Sequence, residues 1–82
     1  MQKQKGAKMY IVIEIQTNSE GVVSTLVYQY DNLNSAESKF HTILASASVS
    51  NVPVHTAAII TNAGVTIRAE SYNHGENEPI VM

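Results

Sequence analysis

The side chains best able to bind a metal or act as a general base are three histidines, His41, His55 and His74. Their spacing matches none of the patterns through which histidines bind zinc, and the chain has no cysteine to complete such a site. The lack of cysteine also excludes disulfides and thiolate nucleophiles. The sequence therefore predicts no metal site and no cofactor.

Serines are the remaining candidate nucleophiles, and most of them lie along one predicted helix or just after its end. They are Ser35, Ser38, Ser46, Ser48 and Ser50. The sequence places no general base beside any of them. Glu14 and Glu70 fall on the same predicted face of a sheet, but Arg68 beside them favours a cross-strand ion pair over paired acid catalysts. The sequence thus predicts a protein that is not an enzyme.

Three polar side chains remain candidates for contacting a ligand or a partner, namely Glu37, His41 and His55. Glu37 and His41 lie one turn apart on the predicted helix, where a surface ion pair is the simplest account. His55 begins a predicted strand. None of the three belongs to a recognisable motif.

The charge distribution bears on the class of partner. The net charge is −2, and three of the five basic residues lie in the first eight positions. From Met9 onward only Lys39 and Arg68 are basic, against all seven acidic residues. This balance argues against nucleic-acid binding, which needs cations to meet phosphates. No apolar run approaches the roughly 18 residues of a membrane span, and no signal peptide is visible.

The hydrophobic periodicity positions these side chains on four strands and one helix within one domain, residues 9–73. Alternation predicts strands at 9–17, 22–30, 54–61 and 65–72. A stripe of Ala36, Phe40, Ile43, Leu44 and Ala47 predicts a helix over 35–49, with Asn34 and Glu37 as its capping box. Residues 1–8 are predicted to be a disordered basic leader and residues 74–82 a flexible tail.

The connections predict an α+β fold, ββαββ, with a four-stranded antiparallel sheet in the order 2-1-3-4 and the helix on one face. We expect Met9, Ile11, Ile13 and Ile15 to face the helix. The opposite face then has no covering element. For strand two, the sequence leaves open whether Leu26, Tyr28 and Tyr30 or Val23 and Val27 lie under the helix.

The uncovered face is the predicted interface, because large apolar patches rarely face water in a monomer. Tyrosine and arginine are also enriched at the centres of interfaces. The predicted interface residues are Tyr10, Val12, Glu14, Tyr28, Arg68, Glu70 and Tyr72. A second copy of the chain in a two-fold dimer is the expected occupant.

Two stretches, IQTNSEGV and ITNAGV, repeat a Thr-Asn pair followed by glycine and valine. A phosphate cradle would need a helix N-terminus behind the loop, whereas each of these loops leads into a strand. Asparagine and glycine both suit the positive φ of hairpin turns. The repeat is therefore interpreted as turn chemistry used twice.

Three strings of residues resemble a group of small proteins encoded in phages and mobile elements of Firmicutes. The strings are Tyr10–Thr17, Ala36-Glu37-Ser38 with His41, and Pro53-Val54-His55. No catalytic chemistry is attached to them. The resemblance implies a genomic setting, that of a small accessory protein in the cytoplasm of a bacterial host, and such proteins often bind and block a host factor.

The leading hypothesis is a non-enzymatic binding module, homodimeric through the open sheet face, that blocks a host defence protein. One alternative is a sponge that sequesters a small-molecule or nucleotide signal at the dimer seam. Another is a structural or assembly component of a phage or mobile element.

Overall fold

The computed structural model describes residues 8–74, which form one sheet and one helix. The strands are β1 (Tyr10–Thr17), β2 (Val23–Tyr30), β3 (Val54–Thr61) and β4 (Thr66–Asn73), and the helix is α1 (Leu33–Ser48). All neighbouring strands are antiparallel and their order is β2-β1-β3-β4. The predicted fold class and strand order are confirmed. The predicted leader lies outside the described residues except for Lys8, and the predicted tail except for His74.

The hydrophobic core lies between α1 and one face of the sheet. The helix contributes the predicted stripe, of which Ala36, Phe40, Ile43 and Ala47 are buried. The sheet contributes Val12, Ala57 and Ile59, each fully buried. Phe40 is the largest of the fully buried side chains, and burying such a ring stabilises the fold by about 1.5–3 kcal/mol. The helix face of the sheet is therefore the face that carries Val12.

This result corrects the predicted orientation of β1. Val12 was expected on the uncovered face, yet it is fully buried in the cluster with Phe40 and Ala57. Alternation separates β1 into two sets of side chains, but both sets are largely apolar, so the pattern does not say which set the helix covers. Ile11, Ile13 and Ile15 lie on the opposite face and are only partly buried.

The orientations of β2 and β4 follow from β1, because residues directly opposite in a ladder share a face. Tyr28 pairs with Val12, so the Leu26, Tyr28 and Tyr30 set of β2 lies on the helix face. In β4, a register shift opposite Ile59 and Ile60 places both Ile67 and Arg68 toward the helix. Ala69 pairs with Ala58 and faces away from the helix, although the predicted placement of Arg68 and Glu70 on the uncovered face implied the helix side for it.

Helix α1 begins two residues before its predicted start. Asn32 is the N-cap, with φ −142° and ψ 152°, and its Oδ1 accepts the N–H of Ser35 at 2.8 Å. The predicted cap, Asn34, instead lies inside the first turn. Both asparagines precede the apolar stripe at plausible distances, so the tertiary position of the β2–α1 connection decides between them. As the one helix of the described part of the chain, α1 is too short, at 16 residues, to cross a membrane.

The two hairpin turns have the same backbone and side-chain geometry. Gly21 and Gly64 have φ of 82° and 86°, and each donates its N–H to the carbonyl three residues earlier. Asn18 Oδ1 accepts the N–H groups of Glu20 and Val22, as Thr61 Oγ1 accepts those of Ala63 and Val65. The equivalent residues are thus Asn18 and Thr61, one position out of step with the repeated Thr-Asn pair. The interpretation as turn chemistry agrees with this geometry.

Replacing Asn32 with alanine should lower the free energy of unfolding by about 1 kcal/mol, because the Ser35 N–H loses its acceptor. Asn34→Ala is the matched control and should be neutral or slightly stabilising, since alanine favours the helix interior. Urea denaturation of the two variants measures the difference. Equal losses of stability would show that Asn32 is not the cap.

Candidate protein interface

A buried polar cluster lies under one end of the helix, where β1 meets β3. His55 Nε2 is 2.6 Å from Glu14 Oε2, and the two side chains are only 5% and 12% exposed. Gln16 Nε2 donates to the same carboxylate oxygen at 3.0 Å. On the other side of the ring, His55 Nδ1 lies 3.4 Å from Ser50 Oγ. The helix-face orientation of β1 therefore buries a carboxylate together with its hydrogen-bonding partners.

The cluster places Ser50 beside a histidine, which the sequence did not predict. The two residues meet because the short loop after the helix, residues 49–53, leads directly into β3. However, Ser50 Oγ also accepts the N–H of Val52 at 2.9 Å, which fixes the hydroxyl in the connecting loop. Residues 8–74 form no pocket beside it, and no three His, Asp or Glu side chains among them could hold a metal ion. The arrangement satisfies the hydrogen-bonding atoms of buried polar side chains.

Glu37 is the meeting point of a second polar group, on the exposed flank of α1. His41 Nε2 lies 3.4 Å from Glu37 Oε1, so the predicted pair between these two residues is confirmed. Arg68 Nε reaches the same carboxylate at 2.9 Å. The predicted cross-strand pairing of Arg68 with Glu14 and Glu70 is therefore wrong, because β4 turns Arg68 toward the helix. Exposed pairs of this kind contribute only about 0–1 kcal/mol each.

The tyrosines predicted for the uncovered face also lie on the helix side. Tyr10 and Tyr28 pack against the core, and Lys39 Nζ sits 4.1 Å from the Tyr28 ring centroid. Tyr72 pairs with His55 across β3–β4 and stacks on the ring of His74 at 5.9 Å. His74 in turn donates its Nε2–H to the carbonyl of Ala47 and its backbone N–H to the carbonyl of Pro53. His74, the first residue of the predicted tail, is thus hydrogen-bonded to the end of the helix and to the loop before β3.

The seven predicted interface residues therefore lie on the helix side of the sheet and not on the uncovered face. Val12 is fully buried, and Tyr10, Glu14 and Tyr28 are partly buried beneath or beside the helix. Arg68, Glu70 and Tyr72 are exposed, but on the helix side of the β4 edge. The sequence located an uncovered face correctly and assigned the wrong alternate set of side chains to it.

The face opposite the helix, called here the open face, has an aliphatic centre. Isoleucines form its middle, with valine and alanine on the neighbouring strands, and threonine, serine, asparagine and glutamine toward the margins. Its centre consists of Ile11, Ile13 and Ile15 from β1, Val27 from β2, Ala58 and Ile60 from β3, and Ala69 from β4. Its margins carry Thr17, Val23, Thr25, Gln29, Val54, Thr56, Thr66, Ser71 and Asn73.

Two physical features distinguish the open face from an ordinary solvated face. No Asp, Glu, Lys, Arg or His side chain lies on it within the four strands, whereas the solvated face of an antiparallel sheet normally carries polar and charged residues. Its relief is also uneven, because β1 presents three isoleucines in a ridge while Ala58 and Ala69 leave a shallow trough beside them. An apolar centre with a polar margin is the usual anatomy of a protein interface.

A signal for this face was present in the sequence. In β4 the alternate set Ala69, Ser71 and Asn73 is uncharged, while Arg68, Glu70 and Tyr72 form the other set. In β1 the all-aliphatic set is likewise uncharged, and the other set contains Glu14. The absence of charged residues from one alternate set in both β1 and β4 predicts that these two sets share a face of the sheet.

No protein-family model, curated protein or solved structure matches this chain. The resemblance to small proteins of phages and mobile elements stays a prediction.

The Glu14–His55 pair should contribute substantially to stability. His55→Ala should lower the free energy of unfolding by about 2–4 kcal/mol, because it leaves a mostly buried carboxylate without its closest partner. His41→Ala, at a side chain that is 64% exposed, is the matched control and should change stability by less than about 0.5 kcal/mol.

Urea denaturation measures both effects, and a double-mutant cycle isolates the pair. Glu14→Gln should cost less in the His55→Ala background than in the wild type, because the interaction is already lost there. Additive losses would show that the two side chains are not coupled.

Proposed function

We propose that this chain is a non-enzymatic binding module that forms a homodimer through its open face and blocks a protein of its bacterial host. The observation that supports it is the uncharged aliphatic open face, whose centre is formed by Ile11, Ile13, Ile15 and Ile60. Water is a poor solvent for such a surface, and the one helix of residues 8–74 covers the opposite side.

The size of the open face is compatible with a small dimer interface. Eight residues per strand at about 3.3 Å each, and four strands about 4.8 Å apart, give a planar footprint of roughly 500 Å². A corrugated surface of this footprint exposes more accessible area than the plane itself. Contiguous apolar patches on monomers rarely exceed a few hundred Å². With its relief included, the face approaches the lower end, about 600 Å², of the area that a specific dimer buries per partner.

A second copy is the occupant that fits the charge and relief of the open face. A neutral surface placed against itself brings no like charges together, so two-fold pairing carries no electrostatic penalty. Ile13, the middle of the isoleucine ridge, can pack in one copy over the small side chains of Ala58 and Ala69 of the other, and the two-fold axis repeats this contact. Two sheets packed in this way would lie about 10 Å apart, as in β-sandwiches.

The blocking role rests on the resemblance to accessory proteins of phages and mobile elements, and that resemblance implies a setting in the cytoplasm of a bacterial host. A protein target is favoured over a small anionic signal for a structural reason. Residues 8–74 form no pocket, and the open face offers no cation to a phosphate.

Introducing a charge at the centre of the open face should dissociate the dimer. Ala69 is exposed and lies in the trough, so Ala69→Lys should leave the fold intact and convert a dimer at micromolar concentration to a monomer. The matched control is Ala45→Lys, at an exposed position of α1, which should stay dimeric. Native mass spectrometry measures the stoichiometry, and circular dichroism verifies the fold.

A second variant, Ile13→Lys, removes the middle of the ridge and should have the same effect. A wild-type chain that is monomeric at all accessible concentrations would overturn the dimer. A dimer that persists in both variants would show that another surface joins the copies.

Blocking is tested by measuring the activity of the host protein that the chain binds. A protein retained stoichiometrically from a host lysate should lose its own activity when the purified chain is added. Retention of full activity in the bound complex would contradict a blocking role.

A further inference from the structure

The two edges of the sheet differ in how well they are protected against pairing with another strand. At the β4 edge the ladder is shifted between Ile59 and Ile60, and Arg68 and Glu70 are charged. A bulge and charged side chains are both devices that discourage strand addition. The β2 edge has neither, because its register with β1 is regular from end to end and the strand VSTLVYQY contains no charged residue and no proline.

Alternate residues of β2 direct their backbone groups away from the sheet. Asn18 N–H donates to the Val22 carbonyl at 3.0 Å, which makes these two residues a hydrogen-bonded pair at the hairpin end. Because such pairs alternate along an antiparallel ladder, the even-numbered residues of β2 bond to β1. Val23, Thr25, Val27 and Gln29 therefore present their N–H and C=O groups at the free edge.

The side chains of β2 are also accessible. Val23 is 58% exposed, Leu26 50% and Val27 60%, so α1 and β1 leave these three side chains uncovered. Leu26 is exposed even though it lies on the helix face, because the helix is centred on the inner strands β1 and β3. An incoming strand would meet apolar side chains on both faces as well as a row of backbone donors and acceptors.

Acidic residues lie at both ends of this edge. Glu20 is in the turn before β2, and Asp31 follows its last residue; both are exposed. A second copy pairing through β2 would run antiparallel about a two-fold axis perpendicular to the sheet. In the registers that pair most of the strand, Asp31 of each copy approaches the turn that carries Glu20 of the other, so like charges meet within about a Debye length. The edge is therefore suited to a strand with basic ends and not to itself.

We propose that the β2 edge binds an extended segment of a partner protein by strand addition, and that this segment has an uncharged β-forming centre flanked by lysine or arginine. This inference rests on the proposed function and names the partner element that the module recognises. Main-chain hydrogen bonds from Val23, Thr25, Val27 and Gln29 would supply affinity, as in other strand-addition complexes. Glu20 and Asp31 would select the basic ends.

Amide hydrogen exchange tests this proposal with a synthetic peptide of alternating threonine and valine that carries lysines at both ends. In the free protein, the amides of Thr25, Val27 and Gln29 should exchange faster than those of Leu26 and Tyr28, which bond to β1. The peptide should slow exchange of the Thr25, Val27 and Gln29 amides several-fold and leave exchange of the Leu26 and Tyr28 amides unchanged. Protection of no β2 amide at millimolar peptide would overturn the proposal.

Proline substitutions supply the matched pair of variants. Thr25→Pro removes an outward N–H at the β2 edge and should abolish peptide binding without unfolding, because proline is tolerated where the N–H faces solvent. Ser71→Pro removes the equivalent outward N–H at the β4 edge and should bind the peptide as the wild type does. Equal binding by Thr25→Pro and wild type would contradict the assignment of the edge.

Charge variants test the selection of basic ends. Glu20→Gln combined with Asp31→Asn should weaken binding of the lysine-ended peptide by about 2- to 10-fold. The wild type should bind a glutamate-ended counterpart more weakly than the lysine-ended peptide, and no preference between the two peptides would overturn the charge argument.

Two further measurements separate this proposal from the dimer. The Ala69→Lys monomer should still bind the lysine-ended peptide, because the open face and the β2 edge are different surfaces. If amides of β2 are instead protected in the peptide-free protein, and increasingly so with protein concentration, a second copy occupies the edge and the proposal fails.

Discussion

A single helix can cover only one face of a four-stranded sheet, and the other features of this structure depend on that limit. Every strand contributes apolar side chains to both of its faces, so the chain carries more apolar surface than α1 can bury. The helix covers the face with Val12, Ala57 and Ile59 and leaves the isoleucines of β1 against solvent. In a domain this small, which buries only about 60% of its unfolded surface, covering that face would add stability that the isolated core does not provide.

The face of the sheet that the helix covers is also the face that carries the polar cluster of Glu14 and His55. Burying β1 by its Val12 side also buries a carboxylate, which is costly unless hydrogen bonds replace the water around it. His55 and Gln16 supply those bonds from β3 and β1. The opposite orientation would have placed Glu14 in water and the isoleucines in the core, the arrangement that hydropathy alone favours. In the observed orientation, Phe40 packs against Val12 and Ala57.

Because of this orientation, the charged side chains of the sheet lie on one face and the uncharged aliphatic side chains form the other. The charged side chains of the strands, including Glu14, Arg68 and Glu70, all lie on the helix side, so the open face is neutral. The β2 edge lies beside the open face and is flanked by acids, and α1 leaves it exposed. A dimer formed through the open face would keep the β2 edges of both copies accessible. The two proposed contacts are therefore compatible, one made by side chains and the other by backbone groups.

The sequence by itself determined the element types, the strand order and the core stripe of the helix, because these follow from local periodicity and short connections. Phe40 and Ile43 in the core, the turns at Gly21 and Gly64, and the Glu37–His41 pair all depend on residues close in the chain. The tertiary structure alone decided which set of β1 side chains faces the helix, that His55 meets Glu14 and Ser50, and that Arg68 reaches Glu37. Each of these depends on distant segments meeting, and an alternating strand with two apolar faces has the same local pattern in either orientation. The existence of an uncovered sheet face was therefore predictable, whereas the residues that form it had to be read from the packed structure.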